Sequence, residues 1–145
     1  YLNHPQETAR VLDGEGWLYT GDLASMDEDG YLRMAGRSKE MYIRGGENVY
    51  PSEVEEVITR HPQVMLAAVI GVPHPVYGEV GRAYVMSPGG GVTPDEIKEW
   101  VAERLADYKV PEEVIIRDML PLTPVGKVLK KELEKEIRRE REAGE

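Results

Sequence analysis

Apolar positions are spaced differently in the first 35 residues and in the rest of the chain. Residues 1–35 carry short apolar pieces between turn signals. Asp13-Gly14-Glu15-Gly16 reads as a turn, and Trp17-Leu18-Tyr19-Thr20 has strand composition. Asp27-Glu28-Asp29-Gly30 reads as a hairpin turn, because Asp-Gly tolerates the positive φ of tight turns, with Tyr31-Leu32-Arg33-Met34 as the returning strand. This stretch predicts no helix and little burial.

The pattern tightens after residue 40. Met41-Tyr42-Ile43 reads as a short strand, followed by a sharp Gly45-Gly46 turn. Val54, Val57 and Ile58 fall on one face at helical spacing, and Ser52 with Glu55 three residues on has the form of a capping box. His61-Pro62 ends that helix. Val64 to Ile70 is a continuous apolar run suited to a buried strand, Gly71 to Pro75 reads as a rigid connection, and residues 80–86 read as the next strand. Thr93-Pro94-Asp95-Glu96 opens a second helix with the stripe Ile97, Trp100, Val101 and Leu105. Val114-Ile115-Ile116 is a third core strand. A last helix, roughly 130–142, carries Leu129, Leu133 and Ile137 four residues apart. The expected fold is therefore α+β: a small three-stranded sheet with flanking helices, preceded by a short β segment, with a boundary near Gly36.

Composition narrows the partners. The chain has 145 residues, the size of one domain, with 41% hydrophobic and 31% charged residues, which reads as globular rather than disordered. Its 18 Lys and Arg against 27 Asp and Glu give a net charge of −9, which argues against broad nucleic-acid binding. The absence of cysteine excludes disulfides, thiolate metal sites and cysteine nucleophiles. No apolar run approaches the roughly 20 residues of a transmembrane helix, and residues 1–10 lack the pattern of a signal peptide. Tyr1 in place of Met suggests a piece cut from something larger.

Two loops carry candidate chemistry. In Thr20-Gly21-Asp22-Leu23, the Asp22 carboxylate suits two hydroxyls of a ribose, although an Asx turn is the plainer reading. In Thr123-Pro124-Val125-Gly126-Lys127, glycine before lysine lets backbone and cation approach a phosphate together, although a solvated lysine would look the same and the loop lacks the Walker pattern. Arg37, in Gly36-Arg37-Ser38-Lys39, can fork onto phosphate or ribose oxygens or pair with a surface carboxylate. His4, His61 and His74 form no metal pattern, and Ser38 and Ser52 lack a paired base.

Several motifs in order resemble one family. Gly16 to Ala24 (GWLYTGDLA), Asp29 to Glu55 (DGYLRMAGRSKEMYIRGGENVYPSEVE) and Pro121 to Leu129 (PLTPVGKVL) are similar to the C-terminal part of the adenylate-forming acyl-CoA synthetases, in the AMP-binding enzyme superfamily. Gly71-Val72-Pro73-His74, Tyr77-Gly78-Glu79 and the segment with Tyr108, Lys109 and Pro111 look alike as well, the last without an assigned role. The resemblance implies a two-step ligase. A carboxylic acid and ATP give acyl-adenylate and pyrophosphate, and the thiol of CoA then displaces AMP. It implies that residues 1–36 are the terminal β segment of a large N-terminal domain and residues 37–145 a mobile C-terminal lid. By position, Asp22 and Arg37 resemble the ATP/AMP-binding residues, Lys39 the hinge, Lys127 the catalytic lysine, and Gly45 and Gly46 the loop along the CoA passage.

The phosphate loop, the Mg2+ ligands and the acyl pocket are expected outside these residues, in the large domain. The chain is then expected to be inactive alone. The expected substrate is a medium- or long-chain fatty acid, and the expected location is cytoplasmic. A homodimer through the face that meets the large domain is compatible with this reading. The competing reading is a separately encoded regulatory or binding domain of the same fold.

Overall fold

The computed structural model describes residues 1–144. Its seven strands form two sheets of very different character. The first is a hairpin, β1 (Asp22–Met26) with β2 (Leu32–Arg37), antiparallel and paired Asp22↔Arg37 through Met26↔Leu32, with an irregularity between Leu23 and Ala24. The expected Asp27–Gly30 turn closes it: the Asp27 carboxylate accepts the N–H groups of Asp29 and Tyr31, and Gly30 has φ +85°.

Two expectations for this region are corrected. Pro5–Val11 is a helix, α1, where none was predicted; it has no buried residue, so no apolar stripe announces it, and Pro5 at its start together with an Arg10–Glu7 pair supplies only local signals. Residues 17–20 are not a strand beyond one bridge, Leu12↔Leu18. Asp13 takes the N–H groups of Glu15 and Trp17 for an Asx turn, which leaves that segment without a ladder.

The second sheet is the core. The expected strands are present as β5 (Leu66–His74), β6 (Gly78–Met86) and β7 (Glu113–Arg117), with β6 antiparallel to β5 and parallel to β7. A hairpin, β3 (Tyr42–Arg44) and β4 (Glu47–Val49), joins at Arg44↔Gly78 and extends the sheet to five strands. Helices α2 (Pro51–Thr59) and α3 (Pro94–Ala102) cover one face, and α4 (Lys130–Gly144) covers the other. Alternate residues of β5 and β6 therefore enter different cores: Val69, Ala83 and Val85 pack with Val54, Ile58 and Ile97, while Ala68, Ile70 and Tyr84 pack with Leu133 and Ile137. Burial on both faces explains why residues 64–70 are continuously apolar rather than alternating.

The Gly71–Pro75 segment is mostly strand, not a separate connection. β5 pairs with β6 through His74, and as an edge strand it tolerates Pro73. Gly71 and Gly81 are directly paired, and the Tyr42 ring lies in the trough they leave; a Cβ on Gly71 would sit 2.5 Å from the Tyr42 Cβ. The Tyr42 hydroxyl is buried with no hydrogen-bond partner among the described residues, and burial pushes its pKa up to about 12.

The Ser52–Glu55 capping box is also corrected. Pro51 starts α2 two residues earlier than that box would, with Tyr50 as the N-cap, so Ser52 sits inside the first turn and makes no cap bond. The box at Thr93–Glu96 is formed as expected, with both reciprocal bonds present.

Candidate functional site

The hairpin brings Asp22 and Arg37 together although they are 15 positions apart. They are cross-strand partners, and Arg37 Nε donates to Asp22 Oδ1 at 3.3 Å. No backbone N–H bonds the Asp22 carboxylate among the described residues, so the plainer Asx-turn reading does not describe it; Asp13 and Asp27 make those turns instead. The Arg37 side chain is 54% exposed and that of Asp22 35%. An ion pair this open adds little to stability, and both groups remain accessible to a ligand.

Lys39 lies exposed in the turn that follows β2. Its neighbours are tied in opposite directions. Ser38 donates its N–H and its hydroxyl to Gly21 O, at 3.0 and 3.3 Å, which fastens it to the hairpin. The Glu40 carboxylate accepts from Lys130 Nζ at 2.7 Å, which fastens it to the start of α4.

Lys130 also reaches Glu55 at 2.7 Å, and the same Glu55 oxygen accepts the Val69 N–H on the open edge of β5. Burial alone would lower the Lys130 pKa, but Glu55 and Glu40 outweigh it and the pKa is raised. Sequence reasoning missed this triad. Its members are 40, 55 and 130, and only the fold brings them together.

Lys127 sits on a separate, tight loop. Leu122 bridges to Val128, Gly126 turns the chain at φ +82°, and Leu129 N bonds Pro121 O. Thr123 holds the Lys127 backbone on both sides: Thr123 N donates to Lys127 O at 2.7 Å, and Lys127 N donates to Thr123 Oγ1 at 3.1 Å. The side chain is exposed, and among the described residues its ammonium has no ion-pair partner. No hydrogen bond or ion pair joins it to Asp22 or Arg37 among those residues.

Gly45 and Gly46 form the two-residue turn of the β3–β4 hairpin. Both have positive φ, +59° and +94°, as a type I′ turn requires. The backbone, rather than crowding, demands glycine here: a Cβ on Gly45 would touch only Tyr77, at 3.7 Å, and one on Gly46 would meet nothing within 4 Å. Beside this turn runs an open groove lined by Arg44, Gly45, Glu47, Tyr77, Asp107 and Tyr108. Tyr77 stacks on His74, and the Arg44 guanidinium lies 5.3 Å from the Tyr77 ring centre. Lys109, beside Tyr108, makes two 2.8 Å bonds to Glu53, which accounts structurally for part of the segment left without a role.

The family model for the AMP-binding enzyme C-terminal domain matches residues 53–127, more than half of the chain. The chain belongs to that family.

Its relatives among AMP-binding enzymes act on different acids. A methyl-dioxo-octahydroindenyl-propanoyl:CoA ligase of Rhodococcus jostii (strain RHA1) is 48% identical over 137 residues, covering 94% of this chain and 27% of the relative. A long-chain-fatty-acid–CoA ligase of Yersinia pestis is 46% identical over 136 residues, covering 94% of this chain and 24% of the relative. Among solved structures, o-succinylbenzoate CoA synthetase from Bacillus subtilis, in complex with its acyl-adenylate intermediate, has a TM-score of 0.83 at 37% identity, covering 92% of this chain and 27% of that one. The chain thus spans about a quarter of the length of the relatives it matches. The α+β architecture with its flanked sheet agrees with that of these adenylate-forming enzymes.

Proposed function

We propose that this chain is the C-terminal portion of an ATP-dependent acid–CoA ligase, with a medium- or long-chain fatty acid as substrate. In the first step a carboxylate oxygen attacks the α-phosphorus of ATP, and the bond to pyrophosphate breaks. In the second, the CoA thiol attacks the acyl carbonyl of the adenylate, loses its proton and displaces AMP. Asp22 is assigned to the ribose hydroxyls, with Arg37 beside it. Lys39 is the pivot between residues 1–36 and residues 37–145. Gly45 and Gly46 line the path of the pantetheine arm, where Tyr77 and Tyr108 in the adjoining groove offer aromatic surface to a ligand.

The observation that carries the reading is Lys127. Its backbone is held by Thr123 at both N–H and C=O while its ammonium stands exposed. A cation so placed, carried to the reacting phosphate by a moving domain, stabilises the charge that builds on the transferring group. The exposed apolar side chains of the first region, Trp17, Tyr19, Tyr31, Leu32 and Met34 among them, would pack on the remainder of the large domain. Magnesium, implied for the nucleotide, finds no cluster of three or more His, Cys, Asp or Glu side chains among the described residues. No helix of the described residues is long and apolar enough to cross a membrane. The fatty-acid assignment draws support from the Yersinia pestis relative.

The test is pyrophosphate release from ATP with a panel of fatty and aryl acids. The intact enzyme should turn over best on medium- or long-chain fatty acids, and the isolated 145-residue chain should release none. Lys127→Ala in the intact enzyme should lower adenylate formation by about 10²–10³-fold. Adenylate formation at an unchanged rate in that variant overturns the role given to Lys127.

A further inference from the structure

We infer that Ser52 is a positioning residue, a latch that holds the lid in the pose seen here by bonding the strand on the far side of the pivot. The inference rests on the two-pose ligase reading above. Ser52 Oγ donates to the Ala35 carbonyl at 2.7 Å, in a partly buried contact. Ala35 lies in β2, before the pivot, and Ser52 lies in the first turn of α2, after it. The two surfaces meet closely at the same point. Gly36 adopts φ +132°, and a Cβ there would sit 2.5 Å from Ser52 Oγ and 3.5 Å from Ser52 Cβ.

The freedom between them is narrow. Ser38 is fastened to Gly21 on the hairpin side, and Glu40 is fastened to Lys130 on the other. Rotation of one body against the other therefore concentrates at Lys39. Any such rotation carries Ala35 away from Ser52, and it breaks the Glu40 N–H bond to Arg37 O, 3.1 Å long, that spans the pivot. The Ser52 bond can exist in one pose only, and so it biases the equilibrium between poses by its net worth, about fivefold in population. The hydroxyl does no other work that would explain its place: Tyr50 is the N-cap of α2, and no side-chain cap bond is made there.

The experiment compares the intact enzyme with Ser52→Ala and Ser52→Thr, the second keeping a hydroxyl. Two readouts are taken: amide hydrogen exchange at Glu40, whose N–H bonds Arg37 O across the pivot, and the separate rates of adenylate formation and of thioester formation from preformed acyl-adenylate. Ser52→Ala should raise exchange at the pivot by about fivefold and change the ratio of the two rates by a similar factor, with little change in Tm; Ser52→Thr should restore both. Unchanged exchange overturns the latch whatever the activities do. Raised exchange with both rates unchanged, or lowered together, overturns the positioning role. If the unsubstituted enzyme makes no adenylate from any acid, the ligase reading fails, and the exchange comparison still decides whether Ser52 restrains the pivot.

Discussion

The β1–β2 region and the five-stranded body are held together by different forces. In the body, both faces of the sheet are covered, and Val54, Ile58, Val69, Val85, Ile97 and Leu133 are fully buried. In the first 37 residues no side chain is buried, and Trp17, Tyr31 and Leu32 are 69%, 72% and 67% exposed. Order there comes from a backbone ladder and from Asx turns at Asp13 and Asp27. The body spends its apolar residues inward on its own stability. The first region turns them outward, and what it holds in place is a pair of charges, Asp22 and Arg37, paired across the β1–β2 ladder.

The sharpest way to break this contrast is to truncate one leucine on each side. Leu133 on α4 is fully buried, so Leu133→Ala should cost about 3 kcal/mol in chemical denaturation, through lost burial and the cavity left behind. Leu32 on β2 is two-thirds exposed, and Leu32→Ala in the same chain should change stability by less than about 0.5 kcal/mol. A comparable loss for both would mean that the first region has a core of its own.

Glycine substitution probes the same contrast at the level of single contacts. Gly71→Ala would place a Cβ 2.5 Å from Tyr42 Cβ and 2.8 Å from Cγ, the root of a buried ring that cannot swing away. It should destabilise the body by about 2 kcal/mol, seen as a lowered Tm. Gly14→Ala, in the Asp13 turn, meets nothing within 4 Å and needs no positive φ, so it should leave Tm nearly unchanged.

Legibility followed the range of the interaction. Thr93–Glu96 and Ser52–Glu55 have the same capping pattern, and only the first forms a box. At the second, distant partners claim both side chains: Ala35 takes the serine, while Lys130 and Val69 take the glutamate. The Asp27–Gly30 turn was legible, but the pairing of Asp22 with Arg37 was not: the register that turn sets would put Asp22 opposite Gly36, and the irregularity between Leu23 and Ala24 brings Arg37 there instead. The pairing of Glu40 with Lys130, 90 positions apart, was not legible either, since it depends on α4 crossing the far face of the sheet. Helix α1 escaped notice for the opposite reason: it is purely local and buries nothing that would mark the pattern.

The smallest expected effect is also the most specific to the first region. The Asp13 carboxylate is held ionised chiefly by the Trp17 N–H at 2.9 Å, with further bonds from Glu15 N and the Tyr19 hydroxyl, so its pKa lies below the ordinary 3.8. A carboxyl whose folded pKa is depressed contributes fully above its unfolded value, and that contribution is lost as pH falls through the folded one. The turn at Asp13 should therefore persist through neutral and mildly acidic pH and loosen only below 3.8. The Trp17 amide proton resonance reports it directly, since that N–H is the principal donor. Asp13→Asn keeps an acceptor oxygen but cannot titrate, so in that variant the resonance should hold still over the same range. Should it move as in the parent chain, the turn is held by something other than this carboxylate, and the account of how an unburied segment keeps its order fails with it.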